Sequence, residues 1–524
     1  MTIAAQLFNF PSLTVAGAIE ALLAIMQFPN YYSSGSHLAA VVGIILANYA
    51  FSVVFWAFLH PKFFSPLRQI PGPKAFIGAA YRSIVAKEKP SGDIFLSLAR
   101  QYPGEDLIAL NTCSRQIFVA KPGLLADLLV HKCYDFAKPR NISAFLRRTL
   151  GDGLIILEED QHKFLRKNTM PAFHARHIKD LYPMIWNKAG ILTRALTREI
   201  DSNAAPDTKG SAIVELTAWA SKVTLDIIGI AGMGRGLNVV EKSGDPLQVL
   251  YEELLKPSRE KLIFAMLSFL AIGFLAVRLL PWKMNSLFIY LTSSLDKICR
   301  ELIKEKREAI SNNFDDEVLK DQLLTFLAAG HETTASALTW ASYLLANHSE
   351  IQTKLREEVT SDLGANAIAS EPLADLAEVL KQLPYLNGII HEMLRLYLTV
   401  PLTMREALRD TQTGEQFVPE GTEMGADTGA FRPERWTSTD GDGKPNQHGG
   451  VRSNYDFLTF LQGPRSCIGQ EFAKAKMCCL LAALVTAFSW DLAMDEDKIV
   501  PRGVITIKPE NGMHLRMKPL GRAV

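Results

Sequence analysis

Apolar residues recur at i, i+3 and i+4 through Leu181–Asp201, Ala212–Ile230, Leu287–Ala309 and Glu317–Ala346. That period puts them on one face of an α-helix, so the pattern predicts four long helices. Two more follow at Pro384–Tyr397 and Glu471–Ala487. Alternating or short apolar runs that read as strands are scarcer: Leu107–Leu110, Gln116–Ala120 and Ile505–Ile507. Gly, Pro and charged residues dominate Thr437–Gly450, which reads as loop, and no internal repeat is present. The expectation is a mostly α chain with a minor β-sheet.

The N-terminus breaks this pattern. From Ala21 to Pro61 there is no Asp, Glu, Lys or Arg, and Leu38–Leu59 is almost wholly apolar. As a helix, that run measures about 33 Å, enough for a hydrocarbon core. A transmembrane helix is therefore expected over residues 37–60, with Trp56 near its end as an interfacial anchor. Lys62 and Arg68 follow the run and no Lys or Arg precedes it, which places the C-terminal side in the cytoplasm. A cleaved signal peptide fits less well, since the run is too long and lacks a basic n-region. A buried core helix is the third reading. Residues 1–36 form a second apolar segment, interfacial or a weak second span, because Glu20 at mid-membrane costs about 2.5–3.5 kcal/mol. Residues 61–70 are a linker, and Ile70-Pro71-Gly72-Pro73 forms a stiff elbow into one globular domain, 71–524. Within it, Leu262–Leu280 is either a surface that dips into the membrane or a plain pair of buried helices.

Composition then narrows the chemistry. With 48 % hydrophobic and 21 % charged residues, the body is globular and not disordered. A net charge of +1 gives no reason to expect a nucleic-acid partner. The six cysteines include no C-x-x-C pair, which argues against a disulfide framework or a structural zinc site and for a reducing compartment.

One cysteine stands apart. Cys467 lies in a Gly/Pro-containing loop, FLTFLQGPRSCIGQEFA, directly before a predicted helix. Gly463 and Gly469 let the backbone approach something large and flat. Backbone N–H groups and the helix dipole favour a thiolate there. Phe460, Gly463, Arg465, Cys467 and Gly469 fill five positions within ten residues, and their spacing resembles the cysteine signature of the cytochrome P450 superfamily. Cys478 and Cys479, inside the following apolar helix, read as core.

Further motifs occur in the order this resemblance requires. Ala329-Gly330-His331-Glu332-Thr333-Thr334 resembles the family's oxygen-activating helix. Its small residues leave room for dioxygen. Thr333 and Glu332, an alcohol beside an acid, are the expected catalytic pair for proton delivery. Glu392 and Arg395 share a helix face at i, i+3. With Arg435 of Phe431-Arg432-Pro433-Glu434-Arg435-Trp436, the resemblance makes them a buried structural cluster beneath the cysteine loop. It further implies that His162, Arg166, Arg405, Phe460 and Arg465 contact the cofactor, haem b, whose iron Cys467 ligates. Thiolate ligation pushes electron density onto iron and favours O–O cleavage. Pocket walls fall between Arg140 and Ile155, at Val400 and Leu402, and around Ile505.

The implied fold is the cytochrome P450 fold and the implied activity a monooxygenase acting on an apolar small molecule. No flavin or dinucleotide fingerprint is fused, so NADPH electrons would arrive through a membrane-bound flavoprotein reductase. The phrasing is similar to fungal microsomal members serving secondary metabolism or detoxification. That implies the endoplasmic reticulum membrane, crossed once or twice, with the catalytic domain in the cytoplasm. Two places depart from the family. Only Glu423–Ala430 stand between Gly421-Thr422 and Phe431, too few for a strand of about 5–6 residues plus a helical turn. Arg307–Phe314 also looks short. Two alternatives stay open: a haem-thiolate isomerase or dehydratase needing no reductase, and an impaired non-catalytic relic. The Glu332–Thr333 pair argues against the first.

Overall fold

The computed structural model describes residues 10–27, 37–55, 59, 63–73, 93–110, 116–204, 210–255, 258–269, 282–307, 315–364, 368, 370–409, 411–413, 416–418, 433–437, 455, 457–503 and 505–520. These fall into two compact units. One comprises residues 1–85, 94–137 and 403–426, and the other residues 86–93, 138–402 and 427–524. The chain is mainly helical with small sheets, as the periodicity predicts.

The first unit opens with helices α1 (Phe10–Gln27) and α2 (His37–Val54). They pack on each other as a pair. Gly17 lies so close to α2 that a Cβ there would sit 2.9 Å from Ile45. Asn48 donates to Glu20 at 2.7 Å, and the hydroxyls of Thr14 and Tyr49 bond at 2.7 Å. The carboxylate that argued against a second span thus has an amide partner. Among the described residues no helix is long and apolar enough to cross a membrane. The expected span over 37–60 is present only as the 18 residues of α2; residues 56–58 and 60–62 lie outside the described residues. After the elbow, Pro71 accepts from the Ala109 N–H at 2.8 Å, and a Cβ on Gly72 would collide with the Ala109 carbonyl at 1.9 Å. Strands β1 (Leu107–Ala109) and β2 (Ile117–Val119) pair antiparallel. Helix α3 (Asp93–Gln101) covers them through Leu98. Strand β3 (Phe136–Ala137) pairs with β5 (Glu406–Ala407), and β6 (Thr411–Thr413) with β7 (Gln416–Val418).

The second unit holds helices α4 (Arg140–Leu150), α5 (Glu159–Thr169), α6 (Ala175–Asn203), α7 (Leu216–Met233), α8 (Lys283–Lys306), α9 (Asp316–Asn347), α10 (Ser349–Leu363), α11 (Pro384–Leu396) and α12 (Gln470–Ala487). Helix α9 runs through the middle, against α7, α8, α11 and α12. Its seam with α7 and α12 is built from small and branched residues, Ala220, Val223, Leu338, Ala341, Cys479 and Leu480, all fully buried. Close-packed apolar surface of this kind is the main stabilising term of such a core.

Two sequence expectations shift. Ala212–Glu215 is strand β4, not the first turn of a helix. Buried Ala212 and Val214 alternate with exposed Ile213, and the strand pairs with β11 (His514–Pro519), which also pairs with β8 (Phe488–Leu492). Glu215 then caps α7, accepting from the N–H groups of Thr217 and Ala218 at 2.9 and 2.8 Å. Ile505–Ile507 is a turn between β9 (Pro501–Arg502) and β10 (Lys508–Pro509), because the Ile507 backbone is spent elsewhere. Its N–H bonds the Thr399 carbonyl at 2.9 Å, and its carbonyl accepts from Ser336 and Trp340 at 2.6 and 2.9 Å. Of Leu262–Leu280, only the helical part up to Phe269 is described. Residues 308–314 and 419–432, where the chain looked short, lie outside the described residues, as do 438–450.

Candidate functional site

The cysteine loop is folded by its own backbone. Leu461 and Gly463 both take positive φ, 55° and 76°, and reverse the chain into a single turn, Gly463–Arg465. The Cys467 N–H then bonds back to the Phe460 carbonyl at 2.8 Å, and Ser466 N–H to Gly463 at 3.0 Å. Phe460 is half-buried against the main core. Cys467 leads into α12 as an exposed side chain in an otherwise half-buried loop. Its thiol is pushed up by burial of the surrounding loop. The Gly469 N–H, and the charges of Arg166 and Lys476, pull the other way.

Around the loop stands a nest of cations. Arg166 of α5 donates to the Ser466 carbonyl at 2.7 Å and to its hydroxyl at 3.2 Å. One helical turn earlier, His162 is 3 % exposed and its Nδ1 has no hydrogen-bond partner. Burial first, then the charges of Arg465, Lys138 and Arg166, push this imidazole down to about 4. Arg465 pairs with Glu158, which also accepts from Lys138 Nζ at 3.4 Å. Arg465, Lys138 and Arg166 thus lie near enough to His162 to act on it, and two of them, Arg465 and Lys138, contact Glu158, while the His162 Nδ1 has no hydrogen-bond partner. That arrangement fits the two carboxylates of haem b, and Cys467 on the same loop is placed where it would ligate the iron. Glu158 and Lys138 are members that the sequence reading missed. Arg405 lies in the other unit, where it is buried and donates to the Thr403 hydroxyl and the Met404 carbonyl at 2.9 and 2.8 Å.

Helix α9 carries the acid–alcohol pair, but the two side chains do different things. Thr333 is half-buried and donates to the Ala329 carbonyl at 2.7 Å. Glu332 is 3 % exposed and pairs with Lys508 of β10 at 2.5 Å, with His331 Nδ1 4.0 Å away. His331 is fully enclosed, bonds Ser221 at 2.8 Å, and is pushed down to about 4 by burial. Gly330 is where α9 meets both neighbours. A Cβ there would lie 2.8 Å from Ile228 of α7, and its carbonyl accepts from Lys476 of α12.

Glu392 and Arg395 of α11 form a two-point ion pair, both contacts 2.9 Å, with Glu392 fully buried. The third described donor to Glu392 is the indole N–H of Trp436, at 2.9 Å. Arg435 stands one residue before it in the turn Pro433–Trp436, and its side chain lies outside the described residues. Trp436 stacks on His391, with ring centres 5.0 Å apart. The predicted pocket residues Val400, Leu402 and Ile505 are 43 %, 41 % and 40 % exposed. They belong to two segments tied to each other at Thr399–Ile507 and to α9 at Ser336, one turn beyond Thr333.

A family model described as cytochrome P450 matches residues 85–516. The chain is 35 % identical over 523 residues to cytochrome P450 monooxygenase sphH of Aspergillus fumigatus, covering 93 % of this chain and 94 % of that one. It is 32 % identical to cytochrome P450 monooxygenase FUM15 of Gibberella moniliformis, over 91 % and 92 % of the two chains. With cytochrome P450 monooxygenase buaD of Petromyces alliaceus it shares 32 % identity, over 88 % and 90 %.

Proposed function

From the premise that the chain belongs to the cytochrome P450 family and is a monooxygenase, we propose that it oxidises an apolar small molecule of fungal secondary metabolism with electrons passed from NADPH by a flavoprotein reductase. Haem b, when bound, supplies the activation of dioxygen. The remaining work falls to the chain's own residues. Cys467 presents its sulfur from a loop preformed by the Phe460–Cys467 bond. His162, Arg465 and Lys138 take the two propionates, and Arg166 holds the loop by Ser466. Thr333, open on the α9 face where Ser336 anchors the 505–507 turn, moves a proton through its hydroxyl. Glu332 exchanges protons with it only after leaving Lys508. Val400, Leu402 and Ile505 turn apolar surface outward beside α9, which excludes water and suits an apolar substrate.

The observation that carries this reading is the exposed Cys467 thiol beside a cation nest with an orphaned His162 nitrogen. We also read α1 and α2 as attaching the protein to the endoplasmic reticulum membrane. Exposed Leu22, Leu23, Met26, Leu46, Phe51, Phe63 and Phe64 support this, as does the charge-free stretch Ala21–Pro61. One experiment addresses both statements. The full chain and a version starting at residue 61 should both give the red-shifted Soret band of a thiolate-ligated carbon-monoxide complex, and only the full chain should sediment with membranes. The Cys467→Ser variant should lose the band. A thiolate band in that variant would refute the ligand assignment, and an unanchored full chain the attachment.

A further inference from the structure

Within the Ala329–Thr334 motif, the proposed function leaves one titratable side chain unused, His331. It is 1 % exposed and lies in the seam between α9 and α7. Its Nε2 stands 2.8 Å from the Ser221 hydroxyl of α7, and the Tyr251 ring meets it edge-on, with centres 5.9 Å apart. Its Nδ1 is enclosed and has no hydrogen-bond partner among the described residues. Such a nitrogen has given up water without a replacement, which folded proteins rarely allow. Glu332 Oε2 lies 4.0 Å from it, about 1 Å beyond hydrogen-bond length. The other oxygen of the same carboxylate, Oε1, holds Lys508 of β10 at 2.5 Å.

Electrostatics select the tautomer. Burial, ahead of the Lys508 and Lys476 charges, pushes this imidazole down to about 4, so near neutral pH it carries one proton. On Nε2, that proton would leave the Nδ1 lone pair facing a carboxylate, which repels it. On Nδ1, it turns an N–H toward Glu332, and the Nε2 lone pair accepts from Ser221. A buried carboxylate that lets go of its cation is costly unless another donor takes it.

We propose that His331 is the second seat of Glu332: a positioning residue, its tautomer fixed by Ser221, whose Nδ1–H takes the carboxylate as it leaves Lys508. This rests on the reading of Glu332 as the acid of the monooxygenase site. A small rotation of the Glu332 side chain suffices, since one carboxylate oxygen already lies beside each partner. The seats differ in charge. Beside the Lys508 ammonium the carboxylate is held ionised; beside a neutral imidazole it can take up a proton from water and pass it to the Thr333 hydroxyl.

The test uses full-length, haem-loaded protein and a double-mutant cycle. Lys508→Met removes the present partner, and His331→Phe keeps a ring against Tyr251 but deletes the donor. Each alone leaves Glu332 one seat; both together strand it. The urea unfolding equilibrium of the double variant should therefore shift about tenfold or more beyond the product of the two single shifts. His331→Asn, which keeps a donor near the Nδ1 position, should remove most of that excess. In a Glu332→Gln background the excess should vanish. Should the double variant fail to fold, adding Glu332→Gln must restore folding. An excess under about twofold, or one that survives Glu332→Gln, overturns the inference, because the two side chains would then act through packing alone. Isotope-labelled histidine gives a second readout: nitrogen NMR of the ferrous carbon-monoxide complex should show the His331 proton on Nδ1, and a proton on Nε2 also overturns it. Absence of the thiolate carbon-monoxide band from the unaltered protein would instead sink the haem-thiolate reading, which the unfolding cycle does not touch.

Discussion

Two charged clusters lie in the same unit and are made of the same residue types, yet they are finished differently. In the first, both oxygens of Glu392 are bonded, to Arg395 and to Trp436. In the second, Arg465 and Lys138 contact Glu158, Arg166 holds the cysteine loop at Ser466, and all three charges act on His162, whose Nδ1 has no hydrogen-bond partner. The difference teaches where to look for a ligand. A cluster that exists to hold the fold satisfies itself, because every unpaired buried group weakens the fold. A cluster that exists to hold an anion gathers positive charge around a buried nitrogen that has no partner, here the His162 Nδ1, and the bound anion completes it.

The largest effect should come from breaking the finished cluster. Glu392→Ala leaves the Arg395 guanidinium and the Trp436 N–H facing an empty acceptor site, and loss of one partner from a buried pair costs about 3–5 kcal/mol. That is a large part of a typical total stability of about 5–15 kcal/mol. The melting temperature should fall by the same amount with and without haem. A drop confined to the haem-loaded form would show that this cluster, too, serves the ligand.

The next effect is a pH dependence that only the unfinished cluster should show. His162 is held at about 4 against an ordinary 6.5. Above pH 6.5 neither the folded nor the unfolded form carries the proton, and stability is unaffected. As pH falls from 6.5 toward 4, the unfolded chain takes up a proton that the folded one refuses, so stability is lost through that window. The span of the shift corresponds to about 3 kcal/mol. An anion beside His162 would hold its pKa up and remove the loss. Urea titrations from pH 7 to 4.5 should show a steeper decline for the apo-protein than for the loaded one. In His162→Phe that gap should close. His391, also pushed down to about 4 but stacked in the finished cluster, should contribute equally to both forms. An unchanged gap in His162→Phe would disconnect this histidine from the anion.

A smaller effect follows from trimming the surplus. Arg465→Met removes one charged donor, worth about 1.5–3 kcal/mol of haem binding. Transfer of haem to an acceptor globin should quicken about tenfold or more, while apo stability should change little, since Glu158 keeps its contact with Lys138. Equal losses in apo stability and haem retention would mark Arg465 as a brace.

Much of this contrast was legible before any coordinates. The cysteine loop and the α9 motif are local, and their residues lie within one or two turns of each other. The boundaries of α9, α11 and α12 came within a residue of the periodic pattern, because long helices average out single exceptions. What escaped was non-local or too short. Strand β4 is a four-residue alternation swallowed by the helical pattern that follows it. Lys138 and Glu158 drew no reading, since nothing local says that Arg465 will meet Glu158 or that Lys138 will join it. Lys476 drew no reading from the sequence; its burial and its bond to the Gly330 carbonyl appear only in the fold. Glu332 was legible as an acid beside Thr333, but its partner Lys508 lies far along the chain.

The finest test of the comparison is Trp436, which the motif reading passed over in favour of Arg435. Trp436 has two roles, and one substitution separates them. Its ring packs on His391 and Phe457, with centres 5.0 and 5.5 Å away, while its N–H completes Glu392. Trp436→Phe keeps a ring in the stack and deletes only the donor. Glu392 Oε2 retains the Arg395 Nε bond at 2.9 Å, so the carboxylate is under-satisfied and not orphaned. The expected cost is therefore at the lower end for a hydrogen bond to a charged group, about 1–2 kcal/mol, plus a small packing loss from the missing ring. It should appear equally in apo and haem-loaded unfolding, because nothing in this cluster is reserved for the ligand. In the double variant with Glu392→Gln, most of the Trp436→Phe cost should disappear, since the charge that made the bond worth having is gone. Strictly additive costs would mean that the indole acts through packing alone, and that the cluster was complete without its third described donor.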